Sequence, residues 1–361
     1  MINSITLHRL ELPLTVPYKL AFGDVRHYDT ILAVVISDDG RMGFGEATIL
    51  TGYTDETIEG SWVLARELAG KVISRELSDI DRVLLPHLNK APFTVTALYT
   101  AIEMLLSPEQ YQIPKDVDVP ILGILNGITK AEIFEEIEQL LNQGFRTIKV
   151  KVGFDVQKDL QKVWNVQSAL ANRGLIRIDG NQGFSQRQAC DFIEQLDPRG
   201  IELFEQPCAS NDWVSAVKTA EISPVDMMLD ESIYGVNDIY RAKELNAAEY
   251  IKVKLMKFGS MKNLNDSILL IKSLGMKAVL GNGVATDVGC WMEAIVASKH
   301  IDNAGEMNGF LKPKDSILTN PLIFQNGSIS LSKSYKPILN MNVLQRYSID
   351  VVNFKKSSTM R

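Results

Sequence analysis

Leu175-Ile176-Arg177-Ile178-Asp179-Gly180-Asn181 is a short β-branched run that ends on a carboxylate and breaks at once into turn residues. The same pattern recurs where Ile201 to Glu205 meets Gln206-Pro207 and where Asp226 to Asp230 meets Glu231-Ser232. Amphipathic stretches of helical period separate the runs. Outward from these, further strand candidates lie at Ile121 to Leu125, Thr147 to Val152, Tyr250 to Leu255, Lys277 to Leu280 and Asn303 to Glu306. Together they repeat at roughly 25 to 30 residues, the cadence of an eight-stranded β/α barrel. An open doubly wound sheet has similar local texture but commonly carries a glycine-rich phosphate loop after its first strand, and the sequence has none. The fold class is therefore read as α/β, a (β/α) TIM-like barrel.

Before the barrel, an alternating run from Ile2 to Leu12, a second at Thr30 to Asp38, the turn Asp39-Gly40 and a return through Gly43 to Ala47 spell a β-hairpin. Helical patterns follow at about Glu56 to Val72, Asp79 to Leu88 and Phe93 to Leu106, and Pro114 and Pro120 then punctuate the chain. The expected organisation is an α+β domain over 1–115, the barrel over 116–321, and a C-terminal segment over 322–361 that returns to the first domain.

Length and composition narrow the function. A chain of 361 residues exceeds what one core usually supports, and 45% hydrophobic with 23% charged residues is ordinary globular usage. The net charge of −6 offers no broad basic face, so nucleic acid and anionic membrane are not expected partners; a small molecule is. Cys190, Cys208 and Cys290 lack zinc or disulfide spacing and read as core thiols of a reducing compartment. The start, Met1 to Glu11, has no apolar signal core, and no stretch approaches the roughly 20 apolar residues of a membrane span, which points to the cytoplasm.

In a β/α barrel the active site forms where strands run into their following loops. Asp179, Glu205 and Asp230 end three successive strands there, so three carboxylates converge on one spot. Unpaired, they would raise one another's pKa; a divalent cation among them removes that cost. Hard oxygen ligands favour Mg²⁺, with Mn²⁺ as the alternative, over Zn²⁺. The competing reading makes each acid a helix N-cap, which three successive units render improbable. In Ile148-Lys149-Val150-Lys151-Val152 strict alternation turns both lysines to one face, which in a barrel is the interior. Tyr250-Ile251-Lys252-Val253-Lys254-Leu255 repeats this on the far side of the acids. Lysines are seldom buried without a task, and burial beside a second cation makes one a base near neutral pH. Two on opposite walls can take a proton from one face of a carbon and return it to the other.

These residues resemble the enolase superfamily, in its muconate lactonizing enzyme subgroup and most like the dipeptide epimerases. Gly43-Phe44-Gly45-Glu46-Ala47, Gly52-Tyr53-Thr54-Asp55-Glu56-Thr57, the two Lys-x-Lys strands, Asp-Gly-Asn-Gln-Gly, Phe-Glu-Gln-Pro, Leu-Asp-Glu-Ser and Lys-Leu-Met-Lys-x-Gly carry the likeness over nearly the whole chain. The resemblance implies Mg²⁺ on Asp179, Glu205 and Asp230, Lys151 and Lys254 as the acid/base pair, Lys149 tuning Lys151, and a metal-stabilised enolate from a carboxylate with an α-proton; a lysine or histidine base with Mg²⁺ is the superfamily pattern that general accounts cite. Asn181, Glu231, Lys252 and Asn282 join them as supporting or substrate-binding residues. At the eighth strand, dipeptide epimerases usually carry Asp-x-Asp-Gly for the substrate's ammonium; this chain has Glu306-Met307-Asn308-Gly309. Gly281-Asn282-Gly283 likewise departs from their usual Met-Glu-Ser type, and a glutamate at position 306 also suits the lactonizing enzymes. The N-terminal domain would act as a cap, with Phe22, Arg26 and Tyr53, in the loops Lys19 to His27 and Ile49 to Asp55, as candidates to close over the substrate; an ordinary surface role is the alternative for each.

The reading is an isomerase: a Mg²⁺-dependent epimerase or racemase of an amino-acid derivative, with a dipeptide as substrate, free to form a homo-oligomer. A muconate-type cycloisomerase or an o-succinylbenzoate synthase/N-acylamino acid racemase is the first alternative. A non-catalytic carboxylate-binding barrel and a metal-dependent aldolase or lyase are the others.

Overall fold

A computed structural model of the chain describes residues 1–20, 23–50, 52, 54–73, 75, 76 and 79–356. The hairpin forms as β2 (Gly23–Ser37) and β3 (Met42–Thr48), joined by a turn in which Gly40 takes the left-handed φ of 80°. With β1 (Ile2–Leu20) and β14 (Ser348–Lys355) they make an antiparallel sheet ordered β14-β1-β2-β3. The helices α1 (Ile58–Val72), α2 (Ile80–Leu88) and α3 (Pro92–Leu106) follow, and α3 packs on β3 so closely that a Cβ at Gly43 or Gly45 would strike its backbone. The helix bounds match the sequence reading closely, whereas β1 continues well past Leu12 and β2 begins well before Thr30, because the two strands keep pairing as far as Leu20 with Gly23.

After β4 (Val117–Pro120), strands and helices alternate: β5 (Gly123–Leu125), α4 (Lys130–Asn142), β6 (Thr147–Lys151), α5 (Val156–Leu170), β7 (Leu175–Asp179), α6 (Gln186–Glu194), β8 (Ile201–Glu205), α7 (Trp213–Ile222) and β9 (Asp226–Leu229). They continue through α8 (Val236–Glu244), β10 (Tyr250–Val253), α9 (Leu255–Phe258), α10 (Met261–Ser273), β11 (Lys277–Leu280) and α11 (Asp287–His300). Most helices start on a side-chain cap that the sequence supplies, among them Thr129 with Glu132, Asp155, Ser185 with Gln188, Asp212 and Ser260. The tail adds β12 (Ile323–Gln325), β13 (Ser328–Leu331) and α12 (Met341–Tyr347). β13 pairs with β4, whereas β14 pairs with β1.

The parallel sheet runs β11-β10-β9-β8-β7-β6-β5. The eighth strand expected at Asn303 to Glu306 is reduced to a single bridge, Gly305 with Ile121. It still closes the ring: Glu306 N donates to Leu280 O at 2.9 Å on one side, and Leu122 N to Gly305 O at 2.8 Å on the other. The segments approach so closely here that only glycine fits, because a Cβ on Gly305 would lie 2.6 Å from Leu280 O.

Alternation along the strands sorts the side chains into two populations. Ile148, Val150, Ile176 and Ile178 face outward into the main core under the helices. Leu203, Met228, Tyr250 and Val279 form a separate apolar cluster. Each of the first three stands two residues before Glu205, Asp230 or Lys252, so the cluster is the floor on which the polar residues rest. Arg177 shares that interior, fully buried, with its guanidinium on both carboxylate oxygens of Glu202 and on Ala304 O. α11 is buried nearly all round and packs against β3 and β4. Cys208 and Cys290 are buried, but Cys190 is partly exposed and does not fit the expectation of a core thiol. Among the described residues, no helix is long and apolar enough to cross a membrane.

Candidate active site

Register alone brings the acids and lysines together. Lys151 pairs with Asp179, and Asp179 with Glu205. Glu205 pairs with Met228, which places Asp230 just past the end of β9. All therefore lie at the C-terminal rim of the sheet. The N-cap reading of the acids is removed, since α6, α7 and α8 begin on Ser185, Asp212 and Gly235. Asn181, Gln182 and Gln206, directly after two of the acids, hold left-handed φ values of 39°, 65° and 34°, a strain that non-glycine residues keep only where the surroundings fix them.

Ammonium groups bridge the carboxylates. Lys149 Nζ stands 2.8 Å from Asp179 Oδ2, 3.1 Å from Glu205 Oε2 and 2.9 Å from Glu306 Oε2. Lys252 Nζ stands 2.9 Å from Glu205 Oε1 and 3.4 Å from Asp230 Oδ2, and is paired closely with Glu306. Lys254 Nζ donates to Asp230 Oδ2 at 2.7 Å. A cavity of about 10 Å³, on the scale of one water molecule, is enclosed by Lys149, Lys151, Asp179, Asn181, Asp230, Lys252, Lys254, Asn282, Gly283, Val284 and Glu306.

The protonation balance follows from burial and from these partners. Burial lowers the pKa of Lys151, and neighbouring Lys149 adds to the effect. Burial acts the same way on Lys149 and Lys252, but the carboxylates around each prevail and raise them well above the ordinary range. Burial opposes ionisation of Asp230, yet Lys254, Lys257 and Lys252 together hold its carboxyl well below the usual value. Lys149 and Lys252 hold Glu306 low in the same way, also against burial.

The acids suit a divalent cation on two counts. Asp179 Oδ2 is buried and receives no aligned hydrogen bond, although the Lys149 ammonium stands 2.8 Å away. Glu205 is pushed up to about 7 by burial and then by Asp179 beside it, against the pull of Lys149 and Lys252. A cation on Asp179, Glu205 and Asp230 would relieve both, and the donors are all hard oxygens. Its entry requires the Lys149 and Lys252 contacts to those oxygens to give way.

The supporting residues divide. Asn181 donates from Nδ2 to Glu231 Oε1 at 3.1 Å, joining the loops after β7 and β9. Asn282 lies on the cavity wall, its Oδ1 accepting from Val284 N. Asn308 is not among the residues lining the cavity: Nδ2 donates to Leu122 O and Oδ1 accepts from Lys312. Arg26 stands apart, exposed in a separate surface cavity of about 340 Å³ with His27, Asp29 and Ile49. Phe22 and Tyr53 lie outside the described residues.

Four residues without a role in the sequence reading also belong to the site. Gln206 is buried, its Oε1 accepting from Asp230 N and Ser232 N while its Nε2 donates to Ser232 Oγ and Cys208 O. Lys257 donates to Asp230 O, Asp230 Oδ1 and Ile233 O, and burial lowers its pKa to about 8. Lys312 caps Gly283 O, which Tyr28 Oη also reaches. Glu293 accepts from the backbone beside Lys254. Gln206 and Lys257 were within reach of sequence, lying one and three residues beyond assigned positions; Lys312 and Glu293 bond backbone groups that no residue pattern reveals.

The family model described as Enolase C-terminal domain-like matches residues 132–337, more than half of the chain. The chain belongs to the enolase superfamily. Relatives of this superfamily include the L-Ala-D/L-Glu epimerase of Bacillus subtilis (strain 168), 25% identical over 343 residues, with 91% of this chain and 93% of that protein covered. Among solved structures, the N-succinyl Arg/Lys racemase from Bacillus cereus ATCC 14579 superposes with a TM-score of 0.89 at 22% identity, covering 98% of this chain and 100% of that one. A dipeptide epimerase from Cytophaga hutchinsonii, solved in complex with Mg and the dipeptide D-Ala-L-Val, superposes at 0.86 with 19% identity, covering 98% and 99%. The two structures share the fold, and the curated epimerase and racemase relatives make this enolase-superfamily member an isomerase.

Proposed function

We propose that this isomerase is a cytoplasmic Mg²⁺-dependent epimerase or racemase of an amino-acid derivative, with a dipeptide as substrate. One observation carries the reading: Lys151 on β6 and Lys254 at the end of β10 line a single cavity, and the three strands between them end on Asp179, Glu205 and Asp230. The names of the epimerase and racemase relatives support it.

Asp179, Glu205 and Asp230 would hold the metal, which when bound supplies positive charge to the substrate carboxylate and makes its α-proton more acidic. The chain's own lysines move that proton. Lys151, whose charged form burial disfavours, takes it from one face of the α-carbon. Lys254, held by Asp230, delivers a proton to the opposite face, and the pair exchange roles for the reverse direction. Lys149 and Lys252 stay charged and preserve positive potential around the carboxylate end. The cycloisomerase reading shares this machinery, and the observation in its favour is that position 308 carries no second carboxylate to answer an ammonium but an Asn whose amide is spent on Leu122 O and Lys312. Incubation in D₂O with Mg²⁺ and separate dipeptide and N-acylamino acid panels, read by mass, tests both. Incorporation of one deuteron into a dipeptide supports the proposal, and no incorporation into any dipeptide refutes the substrate assignment.

A further inference from the structure

β10 and β11 stay paired as far as Val253 with Leu280, and Gly281 N still reaches Val253 O at 3.1 Å. Beyond that rung the chains part, β10 into α9 and β11 into the loop that begins at Asn282. The next amide on each side, Leu255 N and Asn282 N, is buried and has lost its ladder partner, a cost that a native fold must offset. Glu293 does so from α11. Its Oε1 accepts from Leu255 N at 2.8 Å and its Oε2 from Asn282 N at 3.1 Å. One carboxylate thus adds a rung to both strands after the backbone has stopped supplying them.

The place of this rung points to its use. Leu255 follows Lys254 directly, and both Lys254 and Asn282 line the cavity. Glu293 is itself 1% exposed, and it does not line that cavity. Burying a carboxyl group is costly, and here burial pushes it up to about 7 in spite of both amides and the nearby charge of Lys254. α11 is in turn fixed at its start by Glu46 of β3, which accepts from Thr286 N and Gly289 N at 2.9 and 3.0 Å, one turn before Glu293.

We propose that Glu293 is a positioning residue for Lys254: by holding the Lys254–Leu255 peptide and Asn282 together, it keeps the Lys254 ammonium on the Asp230 side of the cavity at reacting distance. The inference rests on the proposed role of Lys254 in proton transfer, but two of its three readouts do not. The full-length chain and its Glu293→Gln and Glu293→Ala variants are compared by amide hydrogen exchange at Leu255 and Asn282, by the rate at which acetic anhydride modifies Lys254, and by kcat and KM for whichever dipeptide exchanges its α-proton. Glutamine offers one acceptor oxygen in place of two, so Glu293→Gln should lose protection at one amide and Glu293→Ala at both, by about 10-fold or more each. Lys254 should be modified several-fold faster in both, and kcat should fall about 10-fold with little change in KM. Unchanged protection at both amides in the folded Gln variant, or an unchanged rate of Lys254 modification, overturns the proposal. If the native chain exchanges no dipeptide while the first two readouts move as stated, the substrate reading fails and the positioning role stands.

Discussion

Arg177 offers the sharpest test of how the barrel is held shut. Its guanidinium donates to Glu202 Oε2 at 2.9 Å and Oε1 at 3.2 Å, to Ala304 O at 2.6 Å and to Asn303 Oδ1 at 3.1 Å. It therefore ties β7 and β8 to the segment that substitutes for an eighth strand. Arg177→Met removes the charge, strands the Glu202 carboxylate and leaves the Ala304 carbonyl without its donor. Removing one member of a buried ion pair costs about 3–5 kcal/mol, and the partial exposure of Glu202 places this pair at the low end. For 361 residues the unfolding entropy is about 0.8 kcal/mol per kelvin, so Tm should fall by about 4 °C. The double variant Arg177→Met with Glu202→Leu removes the stranded charge as well and should regain about half of that. Scanning calorimetry gives both numbers, and hydrogen exchange of the peptide spanning Gly305 and Glu306 should accelerate in the single variant. A single variant within 1 °C of the native Tm, or a double variant no better than the single, would refute the pin.

Further outcomes follow from the site. Lys254→Ala should cut α-deuteration of one substrate stereoisomer about 1,000-fold while sparing the other, and Lys151→Ala should do the reverse; equal losses for both isomers would exclude opposite faces. Mg²⁺ at about 100 times its Kd should stabilise the native chain by about 2.7 kcal/mol, or 3 to 4 °C in a thermal shift, and Asp179→Asn or Glu205→Gln should show none of it. Glu46 carries a pKa raised by burial from 4.5 to about 7. The folded state keeps a proton that the unfolded chain has lost in that window, so this contribution to stability is complete below about 4.5 and disappears as pH rises through 7. Glu46→Gln, which retains an oxygen for both amides, should therefore gain about 2.5 kcal/mol on the native chain between pH 5 and 8 in urea titrations; parallel curves would contradict the raised value.

Much of this site is legible in the sequence alone. Period-two alternation around Lys149, Lys151, Lys252 and Lys254 placed four lysines inside the ring, and they are there. The same rule puts Arg177 on the face of Asp179, but it was absorbed into an apolar run because one charge among β-branched residues does not disturb the strand pattern. The eighth strand was overextended, since Asn303 to Glu306 has strand texture while its hydrogen bonds are fixed by a crossing at Gly305 that only tertiary geometry shows. Glu293 was illegible for a different reason: its partners are main-chain amides 38 and 11 residues before it in the chain. Arg26 was grouped with the site by its place in a loop, whereas the structure sets it in another cavity.

The parallel ring and the four-stranded sheet share a property that matters during synthesis. The ring is completed by Gly305, and the antiparallel sheet by β14, which lies against β1 from the opposite end of the chain. A ribosome must pass Gly305 before the parallel strands can join end to end, and must pass residues 348 to 355 before β1 gains its second neighbour. Until then β5 and β11 present open edges and β1 is covered on one side only, the condition in which strands pair with other chains. The emerging protein is therefore most exposed to misassembly late in its production, and its demand for chaperones should track the release of residues 305 to 355.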